Sequence, residues 1–214
     1  NGLQRMFVNN EPIYYYVTLM NENYPHQSMP DGAEDGIKKG MYLLCSKGKS
    51  KKKMVRLLGS GAILREVEKA AELLLEHGIS SQVWSVTSYI ELARELRDID
   101  RQNLLNVEED HLVSYVGECL EGDRPVIAAS DYVKAVPEQL RSAIQAPYHV
   151  LGTDGFGRSD TREKLRQFFE VNHQFIAYTA LVKLYEIGVC EKKMLTDFKK
   201  EFDIDSDKPN PRLA

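Results

Sequence analysis

A recurring change of hydrophobic period constrains this chain more than any other feature. Short apolar runs alternate with longer stretches whose apolar residues return at the helical spacing. Gly40–Ser46, Met54–Leu58, Gln82–Thr87, Pro125–Ala129 and Tyr148–Gly152 read as strands, each bounded by turn residues. From Ala62 the residues Leu64, Val67, Ala71 and Leu74 share one helical face. Arg65, Glu66, Glu68, Lys69 and Glu72 fall off it, and His77-Gly78 closes the helix. Ser88 caps a second helix carrying Tyr89, Ile90, Ala93 and Leu96, and Asp131–Ile144 reads as a helical stretch broken at Pro137. Three helical segments follow: Thr161–Phe169, His173–Ile187 and Glu191–Phe202. The second is apolar on most of its circumference and should be buried on more than one side. The closing DKPNPRLA reads as irregular.

Strands separated by such helices need crossover connections, so a three-layer α/β/α sandwich with a mostly parallel five-stranded sheet is predicted. One edge strand should be antiparallel, because GKSKKK (residues 48–53) reads as the tip of a hairpin joining two strands. Pro12–Met20 (PIYYYVTLM) reads as a further strand, separated from the rest by a linker, Asn21–Asp35. This divides the chain at residue 35: residues 1–35 finish a preceding domain, and residues 36–214 form the α/β domain. The chain opens on Asn1 rather than methionine, as a fragment of a longer protein would.

Charge and cysteine content exclude several classes of function. Lys plus Arg number 28 against 32 Asp plus Glu, a net charge of −4, where a dedicated nucleic-acid binder carries a basic excess. Cys45, Cys119 and Cys190 are far apart with no C-x-x-C pair, which predicts a reducing, cytoplasmic setting without disulfides or zinc. No apolar run is long enough to span a bilayer. The histidines, His26, His77, His111, His149 and His173, form no H-x-x-x-H or H-E-x-x-H pair.

Two segments remain as candidate sites. Gly59-Ser60-Gly61 lies between a strand and a helix, where Ser60 and Gly61 could hold an anion. A dinucleotide fingerprint would need glycine where Leu64 stands, so a nicotinamide or flavin is not expected. The second is LGTDGFGRSDTR (151–162), which puts Asp154, Arg158, Asp160 and Arg162 on one glycine-rich loop after a buried strand. Asp160 and Glu163 suit the N-cap and N3 positions of the next helix. Asp154, Arg158 and Asp160 are candidates for docking another domain or subunit, since an arginine can bridge two carboxylates and hold such a loop in one shape.

Here the sequence resembles a known family. LGTDGFGRSDTREKLRQFFEVN is similar to the last domain of the homodimeric decarboxylating components of bacterial pyruvate dehydrogenase complexes. Its looser pattern, Phe156-Gly157-x-Ser159 with Leu165 and Phe169, resembles the wider transketolase group. The likeness runs in register through YYYVTLMNENYPHQSMPDGAEDGIKKGMY, KMVRLLGSGAILREV, VWSVTSYIELARE, RPVIAASDYVKA and DKPNPRLA.

The resemblance implies an enzyme that decarboxylates pyruvate with thiamine diphosphate and Mg²⁺, then passes the acetyl group to the lipoyl group of the dihydrolipoyl acetyltransferase component. It implies that the cofactor lies between the upstream domains at the homodimer interface, and that this domain chiefly supports the dimer. The family's diphosphate motif is Gly-Asp-Gly followed downstream by paired asparagines. Thr153-Asp154-Gly155 matches it only in part, and Tyr178–Tyr185 holds no asparagine. No catalytic, cofactor or metal residue therefore carries over to this chain, which should be inactive alone. Alternative readings are the same domain of another transketolase-family enzyme, or a free-standing regulatory or interaction module of this fold.

Overall fold

A computed structural model describes residues 1–19, 23–24 and 27–214. In chain order the elements are α1 (Glu34–Lys39), β1 (Met41–Lys47), β2 (Met54–Gly59), α2 (Leu64–Glu76), β3 (Ser80–Val86), α3 (Tyr89–Leu105) and α4 (Tyr115–Cys119). Then come β4 (Val126–Ala129), α5 (Ala135–Glu138), β5 (Tyr148–Leu151), α6 (Arg162–Phe168), α7 (His173–Glu186) and α8 (Lys192–Glu201). The five strands form one sheet in the order β1-β3-β2-β4-β5, with β1 antiparallel to β3 and the other pairs parallel.

Among the inner strands β4 is apolar throughout and β2 is interrupted only by Arg56, because helices cover both faces, while β3 sets Val83, Trp84 and Val86 among buried serines. On one side Val55, Leu57, Val83 and Ile127 pack under α2 and α7. On the other Leu58, Trp84, Val126 and Ala128 pack under α3 and the segments that follow it. Helix α7 is apolar nearly all round because it lies between α2 and α8 as well as over the sheet. Ile176, Ala177, Ala180, Leu181 and Leu184 are buried, and Phe198 of α8 closes the outer side. Phe198 also meets the His77 ring edge-on at 5.1 Å and stacks near Tyr178 at 6.2 Å. Among the described residues, no helix is long and apolar enough to cross a membrane.

Four sequence expectations are corrected. GKSKKK is not a hairpin tip, because β3 lies between β1 and β2. The segment instead crosses the start of β3: Ser50 N–H donates to Ser80 Oγ at 2.9 Å, and Ser80 N–H donates to the Lys53 carbonyl at 2.8 Å. Gly48, at φ +79°, passes so close that a Cβ there would lie 2.4 Å from Ser80 Oγ. Pro12–Leu19 forms no strand and pairs with none among the described residues. Met20 lies outside the described residues, as do Asn21, Glu22, Pro25 and His26 of the expected linker, and α1 begins before that linker's end.

Pro137 does not break a helix. It sits in the first turn of the short α5, where a missing N–H costs nothing, and a separate 3₁₀ turn follows at Arg141–Ala143. Helix α6 is capped by Thr161 rather than Asp160. Thr161 Oγ1 accepts from Lys164 N–H at 3.4 Å, and Asp160 Oδ1 accepts from Thr161 N–H at 2.7 Å.

Phe198 is fully buried, so Phe198→Ala should cost about 3–5 kcal/mol by urea unfolding. A loss under about 1 kcal/mol would contradict this packing of α8 on α7.

Candidate functional site

The carboxyl edge of the sheet collects the chemistry-bearing residues. Strand β2 leads to α2 on one face and β4 leads toward α5 on the other, so a crevice opens between the ends of β2 and β4. Ser60 follows β2 and Ser130 follows β4, and Ser60 Oγ donates to Ser130 Oγ at 3.0 Å, both residues being buried. Ser130 Oγ in turn accepts from Tyr132 N–H at 3.1 Å. Gly61 has φ +53°, and the position of a Cβ there lies 3.9 Å from Asp131 Oδ1. A carboxylate thus already faces the turn that would receive an anion. Beside it, Ala62, Ile63, Asp131, Thr153, Arg162 and Leu165 help line a cavity of about 230 Å³.

The glycine-rich loop 152–160 borders the same edge. Gly152 fits because its missing Cβ would stand 2.7 Å from the Tyr132 carbonyl. Thr153 Oγ1 donates to the Asp131 carbonyl at 2.5 Å, and Asp154 Oδ1 accepts from Lys134 N–H at 3.0 Å. Arg158 does not bridge two carboxylates: its guanidinium lies over the Phe168 ring, 4.2 Å from the centroid. Phe156 at the apex is 86% exposed. The three residues singled out in the sequence therefore act separately, Asp154 on Lys134, Arg158 on Phe168 and Asp160 on Thr161.

Sequence reasoning missed Glu66. It was assigned to the outer face of its helix, yet it is only 5% exposed. Glu66 Oε2 accepts from His173 N–H at 3.0 Å and contacts His173 Nδ1 at 2.8 Å; Oε1 accepts from Arg166 at 3.1 Å. Burial alone would raise its pKa. The hydrogen bonds from the His173 ring and backbone, with the charge of Lys69, outweigh burial and hold the carboxyl at about 2. A capping carboxylate for α7 lent by another helix leaves no local sequence signature.

Among the described residues, the three cysteines are not activated as nucleophiles. Burial pushes the Cys45, Cys119 and Cys190 thiols up, which favours the unreactive protonated form. His149 is pushed down by burial and by Lys183 and Lys134. Among the described residues, no three His, Cys, Asp or Glu side chains gather as a metal site requires.

A five-stranded sheet of this order, with one antiparallel edge strand and helices on both faces, defines a class that comparison with known proteins makes explicit. The family model of the transketolase-like TK C-terminal domain matches residues 40–172, and the chain belongs to that family. More particularly, it is 48% identical to the pyruvate dehydrogenase E1 component of Escherichia coli (strain K12) over 217 residues. It is also 48% identical to that of Cupriavidus necator over 215 residues. These alignments take in 100% and 99% of this chain but 24% of each relative, so the chain spans about a quarter of their length. Among solved structures, transketolase from Leishmania mexicana gives a TM-score of 0.46 at 18% identity, covering 82% of this chain and 20% of that one.

The residues present match the motif for thiamine diphosphate with Mg²⁺, the group this kinship implies, only in part. Asp154 is the acid of the partial Thr153-Asp154-Gly155 motif, and its Oδ1 is held by the Lys134 backbone. Glu170 and Asn210 line the same cavity of about 310 Å³ as Asp154, but among the described residues no three His, Cys, Asp or Glu side chains gather there.

Glu66 generates a pH prediction. Its carboxyl titrates at about 2 in the fold against 4.5 in the free group, so its stabilisation is complete above pH 4.5 and is lost as pH falls toward 2. The full shift corresponds to about 3 kcal/mol, of which about 2 kcal/mol should be gone by about pH 3. Urea unfolding from pH 7 to 3 should show a shallower loss for Glu66→Gln by that amount. Equal slopes for the two proteins would contradict the assignment.

Proposed function

We propose that this chain is the C-terminal supporting domain of a cytoplasmic pyruvate dehydrogenase of the E1 type, and that it contributes no group to the chemistry. The longer enzyme would decarboxylate pyruvate on thiamine diphosphate and Mg²⁺ bound by its upstream domains. It would then deliver the acetyl group to the lipoyl group of an acetyltransferase component. The observation that carries this reading is the alignment of the whole chain, at 48% identity, with E1 components four times its length. Three cysteines free of disulfides agree with the reducing compartment proposed.

The domain's part is to seat other elements of the enzyme and support its homodimer. Residues 1–35 are proposed to complete the preceding domain. Tyr14 and Tyr16 are 88% and 86% exposed, and Tyr14–Leu19 has strand-type composition without a strand partner among the described residues. Such a segment is suited to pairing with a sheet edge elsewhere. The segment and its flanks touch the carboxyl edge: Arg5 approaches Glu91 at 3.8 Å, Thr18 Oγ1 meets Tyr132 OH at 3.3 Å, and Arg65 stacks on Tyr24 at 4.5 Å. The loop carrying Asp154, Arg158 and Asp160 is proposed to dock against another domain or subunit, with Phe156 as its apolar anchor. Ser60 and Gly61 remain the place for an anion only if it displaces Asp131.

Isothermal titration of the chain with thiamine diphosphate and Mg²⁺ tests the division of labour. No saturable heat is expected up to about 1 mM cofactor. Saturable binding at micromolar concentration, about −8 kcal/mol, would overturn it.

A further inference from the structure

Two exposed segments of opposite charge stand without partners in the fold. Residues 47–53 hold five lysines and no acid, in a chain whose net charge is −4. Lys47 approaches Glu72 at 3.7 Å, whereas Lys49, Lys51, Lys52 and Lys53 form no ion pair among the described residues. Farther along, Glu108, Glu109 and Asp110 are exposed in succession and likewise pair with no cation among the described residues. Apolar side chains precede these acids: Leu104 is 75% exposed and Val107 77%.

The fold holds each segment in one shape. Buried Ser80 accepts from Ser50 N–H at 2.9 Å through its hydroxyl and donates its own N–H to the Lys53 carbonyl at 2.8 Å. Ser50 Oγ in turn accepts from Lys53 N–H at 3.0 Å, so the lysines stand on a ridge fixed across the start of β3. Asn103 closes the acidic loop: its Oδ1 accepts from Leu112 N–H at 2.8 Å, and its Nδ2 donates to the Leu112 carbonyl at 2.9 Å. Within that loop Glu109 N–H donates to the Asn106 carbonyl at 3.1 Å. Segments already shaped lose little conformational freedom on association.

Topology sets both toward the amino edge of the sheet. The ridge leads into the start of β2 and crosses the start of β3. Helix α3 runs back from the carboxyl end of β3 on the crossover to the amino end of β4, and the acidic loop follows its last turn. Burial along α3 stops at Leu96, so its second half leads away from the core. Beside the ridge lies a groove of about 610 Å³ with Lys53, Lys193, Val189 and Met194 in its walls. Glu191, Asp197 and Glu201 also line it, Glu201 tied to His77 at 3.2 Å, so the positive excess belongs to the ridge.

We propose that the lysine ridge of one copy receives loop 104–113 of a second copy. Glu108, Glu109 and Asp110 then face Lys49, Lys51, Lys52 and Lys53, and Val107 turns toward the groove. Each copy carries both halves toward one edge, so a two-fold axis makes the contact twice and closes the pair. The pairing gives the homodimer proposed above a named surface, but it is read from self-association of this chain alone.

Sedimentation equilibrium of the 214-residue chain tests it. A monomer–dimer equilibrium is expected below about 1 mM chain at about 0.05 M salt. Its Kd should rise at least about tenfold at about 0.5 M salt, where the Debye length is about 4 Å. Lys51→Glu with Lys52→Glu, and separately Glu108→Lys with Glu109→Lys, should each weaken the dimer by about tenfold or more. All four side chains are exposed, so these variants should fold as the unaltered chain does. An equal mixture of the two variants should restore the dimer, as should one chain carrying all four changes, because opposite charges then meet at both contacts. A monomer at about 1 mM, a dimer indifferent to either pair of changes, or a mixture without rescue would overturn the pairing. Masses growing beyond two copies would overturn the two-fold arrangement. Such results leave the proposed function standing, since the cofactor titration tests that separately.

Discussion

One carboxylate sets the arrangement of the helices on this face of the sheet. Helices α2 and α7 lie side by side and both begin at the carboxyl edge, so the positive ends of two helix dipoles stand together. Glu66 sits in the first turn of α2 and accepts the first N–H of α7, so a single negative charge serves both ends. Through Arg166 it also fixes the end of α6, two residues before Phe168. Phe168 is the ring on which Arg158 and Lys208 rest. The seat of the exposed loop therefore depends, through packed neighbours, on a buried acid that never meets the loop.

What could be read from the sequence follows from how local each signal is. Strand β4 was legible because burial on both faces makes it a continuous apolar run, β2 and β5 because only Arg56 and His149 interrupt theirs, and α2 and α3 because their faces have helical period. The partner of β1 was not legible. A basic turn between two apolar runs looks the same whether the strands pair or a third lies between them, and only Gly48 against Ser80 records the crossing. Pro12–Leu19 has the composition of a strand, but a strand needs an edge to join.

The candidate site was legible to a similar depth. Glycines and charges marked loop 152–160 as shaped for contact. The means of shaping it were hidden, because they come from residues distant in sequence: Lys134, Phe168 and Arg212. Glu66 was hidden for the opposite reason. Helical period placed it among solvent-facing charges, and only the tertiary neighbour α7 turned that position into a buried one. The family resemblance rested on order and motif, which survive whatever individual side chains do, and the match over residues 40–172 agrees with it.

The division between a supporting domain and chemistry done upstream meets its most direct test in Arg158→Ala, made in the longer enzyme of which this chain is proposed to be the last part. Turnover would be measured where the variant is shown by sedimentation to be dimeric and by titration to be saturated with cofactor. Turnover within about threefold of the unaltered enzyme, with weakened assembly or thermal stability, is the predicted result. A fall of about 100-fold or more under those conditions would place Arg158 in the chemistry and contradict the account.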